Sequence, residues 1–510
     1  LNCRIRIGAK IPRLLLVAFF FVSFANNKLD FIWHGFHFPD GLPARQTFLF
    51  AFLLLTLGYE AVREERGNSI FKILFAFLLA ELVLVLCFRF TDLEQVTPEQ
   101  MLLTGLLILG YALLLLFYRR KDKTMRTIVS IFTVILVCAE AGVNLDTTSI
   151  STTSRTLYTQ HLEDYKTLAE TAGAEDDGFF RMDKFDRMTK NESALSNYAS
   201  ASIFSSLINK DVADFYREMG MEGGKNFYCV NGATPLLSAM MSLRYVIADN
   251  AMEANPIRTL VAESGNTYLY ENKYVLPLGF MMDEDVIDAW DYSDLDEIEA
   301  QNRLAELLGA DEPMLTEIPS ESVVGESTID VQEDAYIFAT YESTTVDSMT
   351  EEISDGRTKS FTKVSHGYTL DLGYCTAGTQ VRIKNSNEER VNITAYDLNL
   401  DAADTAYQTL NEQTMEMTSF SDTKITGTID VKKEGRLIFA VADDAGWKLY
   451  VDGEQTDPEV FGEAFISTYL TEGTHTVELR YQTPGFMVGA GFSLACILIV
   501  ILIAWIKRHH

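Results

Sequence analysis

Phe486–Ile506, FMVGAGFSLACILIVILIAWI, runs without a charged side chain, and its stretch Ile497–Ile503 is apolar on every face of a helix. A helix on the surface of a water-soluble protein keeps a polar stripe. One that is apolar all round and about 20 residues long is instead matched to the ~30 Å hydrocarbon layer of a bilayer. Reading outward toward the N-terminus, comparable runs cover Ile7–Ala25, Thr47–Val62, Ile70–Phe90, Met101–Tyr118 and Ile128–Asn144. The first is the shortest in its strictly apolar part, Leu14–Phe24, with Pro12 at its start. Five helices followed by a sixth at the C-terminus make a polytopic membrane protein.

The cations set the expected orientation, because Lys and Arg near the ends of spans are retained in the cytoplasm. Arg4, Arg6, Lys10 and Arg13 precede the first run; Arg63, Arg66 and Lys72 separate the second from the third; Arg119, Arg120, Lys121, Lys123 and Arg126 separate the fourth from the fifth; Lys507 and Arg508 follow the last. The alternate connections, 26–46 and 91–100, are poor in cations, so they and the long segment 145–485 are expected outside. The chain opens in a basic patch without an initiator Met or a signal peptide, and is read as a fragment, or a mature chain, that lacks upstream helices.

The 510 residues carry a net charge of −30, yet their mean hydropathy is +0.05. The two figures belong to different regions. Residues 151–485 hold 25 Lys and Arg against 60 Asp and Glu, a net of −35. So acidic a surface argues against nucleic acid or anionic polymers as direct ligands of that region. Six cysteines are scattered with no CxxC and no metal-ligand spacing; Cys229 and Cys375 alone lie outside, which leaves one intrachain disulfide open there. No cofactor is expected, and a divalent metal has no ligand cluster to support it.

The outer segment divides by composition. Arg155–Ala172, with Leu157, Leu162, Tyr165 and Leu168 on one side, has helical spacing and reads as a stalk leaving the membrane. A mixed α/β region follows, in which Arg244–Ala248 (RYVIA) reads as a central strand. From about Glu317 the chain becomes rich in Thr, Val, Tyr and Gly. Short runs such as Ala335–Tyr341, Gln380–Lys384, Arg436–Ala442 and His475–Tyr481, punctuated by turn signals, predict an antiparallel β-sandwich. The expected division is 1–147 transmembrane, 148–317 mixed, 318–485 sandwich, and 486–510 a closing transmembrane helix with a basic tail.

Three places carry chemistry. The first outer connection, WHGFHFPDGLPARQ over Trp33–Gln46, brings His34, His37, Asp40 and Arg45 to a membrane face. Arg45 is suited to a lipid phosphate as a bidentate donor, and a His as donor or acid. The alternative is an aromatic belt of Trp33, Phe36 and Phe38 with incidental histidines. Within the spans, Glu81, and Glu140 with Asn144 one turn on, are ionisable or polar groups whose cost marks them as functional candidates, helix-to-helix hydrogen bonding being the alternative. In GWKLYVDG, Trp447 is either a sugar platform or a core residue beside a hairpin turn. Phosphate-binding glycine loops, HExxH and GxSxG are absent from the sequence.

The segments WHGFHFPDGLPARQTFLF (Trp33–Phe50), SSLINKDVADFYREMG (Ser205–Gly220), YENKYVLPLGF (Tyr270–Phe280), GWKLYVDG (Gly446–Gly453) and GTHTVELRYQTPG (Gly473–Gly485) resemble, in this order, the bacterial YfhO-type membrane proteins. The likeness covers nearly the whole chain and corresponds to the C-terminal portion of such a protein. The resemblance implies a GT-C-like glycosyltransferase fold, N-terminally incomplete. It implies an inverting enzyme that takes a sugar from an undecaprenyl-phosphate carrier and transfers it to a cell-wall polymer such as lipoteichoic acid, outside the bacterial membrane. Its partners would be the lipid-linked sugar, the polymer acceptor and membrane lipids. In GT-C enzymes the catalytic carboxylate characteristically sits in the first outer loop of the full protein, which is expected to lie upstream of this sequence, so Asp40 and Glu140 are the carboxylates nominated in its place. His34, His37, Arg45, Asn144 and Trp447 are the expected substrate-binding residues. The alternative from another class is a non-catalytic, membrane-anchored glycan-binding or scaffold protein. A transporter would show paired broken helices and an internal repeat, and neither is visible.

Overall fold

The computed structural model describes residues 6–38, 44–63, 69–90, 97–119, 122–149, 154–175, 178–185, 187–387 and 389–509. These form two compact units, 1–153 and 154–510.

The first unit is helical: α1 Ile7–Phe24, α2 Asn27–Trp33, α3 Thr47–Arg63, α4 Ile70–Phe90, α5 Pro98–Tyr118 and α6 Lys123–Ser149. α1, α4, α5 and α6, together with the C-terminal helix Phe486–His509, are long and apolar enough to cross a membrane. On α4 the side chains of Phe71, Phe75, Leu78, Leu82 and Val85 all stand exposed, a distribution that only a hydrocarbon surround accommodates. α3, expected as a full span, has 17 residues and is about 25 Å long, at the lower limit for crossing. Local chemistry starts α5 cleanly. Thr97 accepts from Gln100 N while the Gln100 side chain accepts from Thr97 N, a reciprocal cap, and Pro98 fills the first helical position. α1 and α3 are tied by the two-pronged pair of Arg13 with Glu60, at 2.5 and 2.6 Å. α4 and α5 approach where Gly105 leaves room for the carboxylate of Glu81, whose oxygen lies 3.1 Å from where a Cβ would stand.

The second unit starts with the helices Arg155–Thr159 and Leu162–Glu175, so the expected continuous stalk is broken near Gln160. The longer one lies on a four-stranded sheet in the order Arg181–Lys184, Leu243–Ala248, Thr267–Asn272, Arg258–Ser264. Leu243–Ala248 is an inner strand, as its apolar run predicts. It pairs in parallel with Arg181–Lys184 and antiparallel with Thr267–Asn272. Leu168, Ala172, Met182, Ile247 and Leu269 close the core between helix and sheet.

The rest holds two sandwiches rather than the one expected over 318–485. In the first, a five-stranded sheet (Ser320–Val323, Glu326–Asp330, Gln380–Asn385, Ser348–Ile353, Thr358–Thr362) faces a four-stranded one (Leu370–Cys375, Ala335–Tyr341, Ile393–Leu398, Leu315–Ile318). Met349 and Val381 from one sheet and Ile337 and Ala395 from the other share a core. The helix Leu400–Asn411, capped by Asn399, then intervenes, with Ala402, Ala403, Ala406 and Leu410 on its buried side. In the second sandwich, strands Glu416–Ser421, Lys424–Val431, Gly473–Tyr481, Trp447–Val451 and Glu454–Thr456 face Glu459–Phe461, Phe465–Leu470, Gly435–Ala442 and Gly279–Met282. That last strand comes from the mixed region, far upstream of the rest. Cys229 and Cys375 are both buried and free, so the disulfide left open by the sequence is not formed.

Candidate functional site

The first connection is built on a short helix. Asn26 caps α2 by accepting from Lys28 N (3.0 Å) and Leu29 N (3.2 Å), and this places Asp30 and His34 one turn apart. His34 Nδ1 is 2.8 Å from the Asp30 carbonyl oxygen and 3.4 Å from its carboxylate, so Nδ1 carries the proton and Nε2 is the open nitrogen. The His34 side chain is 9% exposed, and its Nε2 is buried with no partner among the described residues. The Asp30 carboxylate also accepts from Ala44 N at 3.0 Å, which pins the far end of the connection. Next to Ala44, Arg45 is exposed, and Gln46 is buried with its amide nitrogen 3.3 Å from Ser23 Oγ. His37 is exposed, and Asp40 lies outside the described residues. Trp33 stacks on Phe20 of α1 at 6.1 Å, so the aromatic side of the connection faces α1.

Glu140 accepts a hydrogen bond from Tyr111 across α5 and α6, which is the helix-to-helix role, and Asn144 is exposed one turn further on. Trp447 belongs to the other unit. Half-buried, it packs against the core of the second sandwich and meets Tyr481 edge-on at 5.1 Å, as the core role requires.

The structure adds a site that the sequence does not single out. In the second unit, a cavity of about 790 Å³ is walled by the mixed region on one side and the first sandwich on the other. At its floor Glu222, 1% exposed, accepts from Lys190 Nζ (2.5 Å), His366 Nδ1 (2.7 Å) and Asn231 Nδ2 (2.8 Å). Burial by itself pushes the Glu222 carboxyl up, but Lys190 and His366 together hold it below its ordinary value. Behind Asn231, the buried Arg187 binds its amide oxygen (3.2 Å), Asp183 (3.2 Å), Ser202 Oγ (2.9 Å) and the Cys229 sulfur. His366 sits in a single turn, Val364–His366, between the left-handed Lys363 and Gly367. The turn is fixed to the floor indirectly, since Thr369 N donates to the Gly220 carbonyl at 2.8 Å. Gly232 must be glycine here: its φ is +86°, and a Cβ would lie 2.3 Å from that same carbonyl oxygen. Glu222 and His366 are 144 residues apart, so no local pattern announces the pair. Among the described residues no cluster of three His, Cys, Asp or Glu is arranged for a metal.

Comparison with known proteins gives one family. The profile described as "Bacterial membrane protein YfhO" matches residues 1–332 and 320–493. The YfhO protein of Bacillus subtilis (strain 168), itself described as uncharacterized, is 23% identical over 383 residues, covering 66% of this chain and 44% of the relative. The chain thus spans less than half the length of the curated relative it matches. Among solved structures, the arabinofuranosyltransferase AftD from Mycobacteria aligns at 11% identity over 28% of this chain and 12% of that one, with a TM-score of 0.13. A likeness of that extent bears on neither fold nor function.

Proposed function

Because the chain belongs to the YfhO family of bacterial membrane proteins, we propose that it is part of a membrane glycosyltransferase that moves a sugar from an undecaprenyl-phosphate carrier to a cell-wall polymer such as lipoteichoic acid on the outer side of the membrane. The distribution of Lys and Arg supports that side for the first connection and for the acidic second unit. The observation that carries the reading is the His34 imidazole, held by Asp30 through Nδ1 with Nε2 buried and without a partner among the described residues.

In inverting transfer, an acceptor hydroxyl loses its proton to a base as its oxygen bonds to the anomeric carbon, and the bond from that carbon to the carrier phosphate breaks. The leaving phosphate gathers charge, so donors aimed at it lower the barrier. The Arg45 guanidinium fills that role as a bidentate donor, and His34 joins it only as an imidazolium, with a second proton on Nε2. Asp40 is the nominated base. Glu140 is already engaged by Tyr111 and is the weaker candidate.

Replacing His34 or Arg45 by Ala is expected to lower transfer of labelled sugar by roughly 100-fold, the usual cost of a lost donor to a developing charge, with membrane insertion unchanged. Full transfer by both inserted variants removes this connection from the site.

A further inference from the structure

The cavity of the second unit differs in charge from the surface around it. Residues 151–485 carry a net of −35, yet the wall presents Arg187, Lys190, Lys359 and Lys363 against Glu222, Asp347 and Asp371. Those three carboxylates are already matched: Glu222 by Lys190 and His366, Asp371 by Arg258 at 3.3 Å, and Asp347 by Lys363 at 3.3 Å. Arg187 is paired in turn with Asp183 at 3.2 Å, so with Arg258 included five cations stand against four carboxylates, and an anion entering the cavity meets an excess of one positive charge and no uncompensated carboxylate among these.

Two polar side chains are reachable from the cavity. The Lys190 side chain is 21% exposed and that of His366 is 32% exposed. Glu222 holds both from below, through Lys190 Nζ and His366 Nδ1–H, so the remaining ammonium hydrogens are left to donate to an anion and the imidazole Nε2 is left to accept from a hydroxyl of the same ligand. Both are further fixed by Phe227: Lys190 Nζ stands 4.1 Å from the ring centroid, and the His366 ring lies 5.0 Å away. Holding the two side chains in this way cuts the ordering cost of binding.

The rest of the wall mixes small polar residues with rings, and of the rings Phe204, 46% exposed, offers its face to the C–H faces of a hydroxyl-rich molecule. The volume falls in the range of small-molecule sites.

From this we infer that the cavity binds an anionic carbohydrate, a sugar or polyol bearing a phosphate or carboxylate group, with the oxyanion on Lys190, a hydroxyl donating to His366 Nε2, and the carbon skeleton against Phe204. The inference goes beyond the transferase reading and does not depend on it, because the second unit can hold such a ligand whether or not sugar is transferred.

The test is calorimetric titration of the detergent-solubilised full chain with sn-glycerol 3-phosphate, glucuronate, inorganic phosphate and glycerol. Saturable binding of the glycerol phosphate, of the glucuronate or of both is expected, with glycerol not binding; which of the two binds assigns the anion. Lys190→Ala should weaken binding at least about tenfold, the worth of one charge-assisted hydrogen bond, and His366→Ala by roughly fivefold, the worth of a neutral one. Phe204→Ala should weaken the glycerol phosphate more than inorganic phosphate. Removing Lys190 disturbs a buried carboxylate, so Lys363→Gln on the exposed rim serves as the variant that leaves folding intact. It should weaken binding several-fold, and added salt should weaken it further. Glycerol binding as tightly as the two anions, neither organic anion binding, or anion binding unchanged in folded His366→Ala and Lys363→Gln would overturn the inference.

Discussion

Arg258→Ala is expected to destabilise the second unit by about 3–5 kcal/mol, the range for removing one partner of a buried ion pair. The guanidinium of Arg258 is buried. Its Nε donates to Asn272 Oδ1 at 3.1 Å, and its Nη1 donates to Tyr336 OH at 2.6 Å and lies 3.3 Å from Asp371 Oδ2. Tyr336 in turn donates to Asp371 Oδ1 at 2.8 Å. Burial alone pushes the Asp371 carboxyl up, while Lys359 and Arg258 hold it below its ordinary value. Arg258 stands on a strand of the mixed sheet, and Tyr336 and Asp371 stand in the first sandwich, so the triad joins two layers that share no strand. Denaturant midpoints of the full chain, read by tyrosine and tryptophan fluorescence, measure the loss. If the charge left behind is the cause, Arg258→Met with Asp371→Leu should recover most of it; a double variant no better than the single would place the cost in lost packing instead.

The second large effect is a pH dependence at Glu351. In Ser348–Ile353 the core-facing positions alternate as Met349, Glu351 and Ile353, which puts a carboxyl where the pattern calls for an apolar residue. Glu351 is 1% exposed, and its Oε1 has no partner among the described residues. Burial pushes its pKa up to about 8, with Lys359 and Arg357 pulling the other way. The folded chain therefore holds this proton when the unfolded chain, with an ordinary value of 4.5, has lost it. Between these values the native state binds more protons, so stability falls as pH rises from about 4.5 to 8 and is level on either side, as far as this group decides it. Glu351→Gln should match the parent near pH 4 and exceed it by a few kcal/mol at pH 9, since each tenfold weakening of the acid on folding costs about 1.4 kcal/mol once the proton is lost. Equal slopes of stability against pH in parent and variant would show that Glu351 titrates normally.

How much of this is legible in the sequence follows from how local each signal is. Spans such as α4 and α5 are apolar all round, a property of one segment, and the structure returns them with nearly the expected limits. α2 escapes a sequence reading, because seven residues hold no period and Asn26 is its one start signal. The division into two sandwiches is partly visible. Leu400–Asn411 has an N-cap Asn and buried Ala402, Ala403, Ala406 and Leu410 at helical spacing, a helix that splits the β-rich region and contradicts a single sandwich. What no pattern reveals is that Gly279–Met282 completes a sheet with strands beyond Gly435.

The candidate sites show the same limit. His34 and Arg45 are legible because polar and charged groups concentrate in one short connection between apolar runs. Trp447 stands where the sequence puts it, beside a turn, but packing decides between platform and core, and it is packed. The cavity's network joins Lys190, Glu222, Asn231 and His366 from separate stretches of the chain. Its nearest sequence signal is the glycine after His366, which marks a turn but names no partner.

The central claim, transfer from a lipid-linked donor, is tested most directly by reconstituting the full-length protein in liposomes with undecaprenyl-phosphate-linked labelled sugar and adding lipoteichoic acid outside. Label is expected in the polymer, dependent on both donor and protein and lost with Arg45→Ala. A correctly inserted protein that leaves all label on the carrier would contradict it and leave the chain as a membrane-anchored carbohydrate-binding protein.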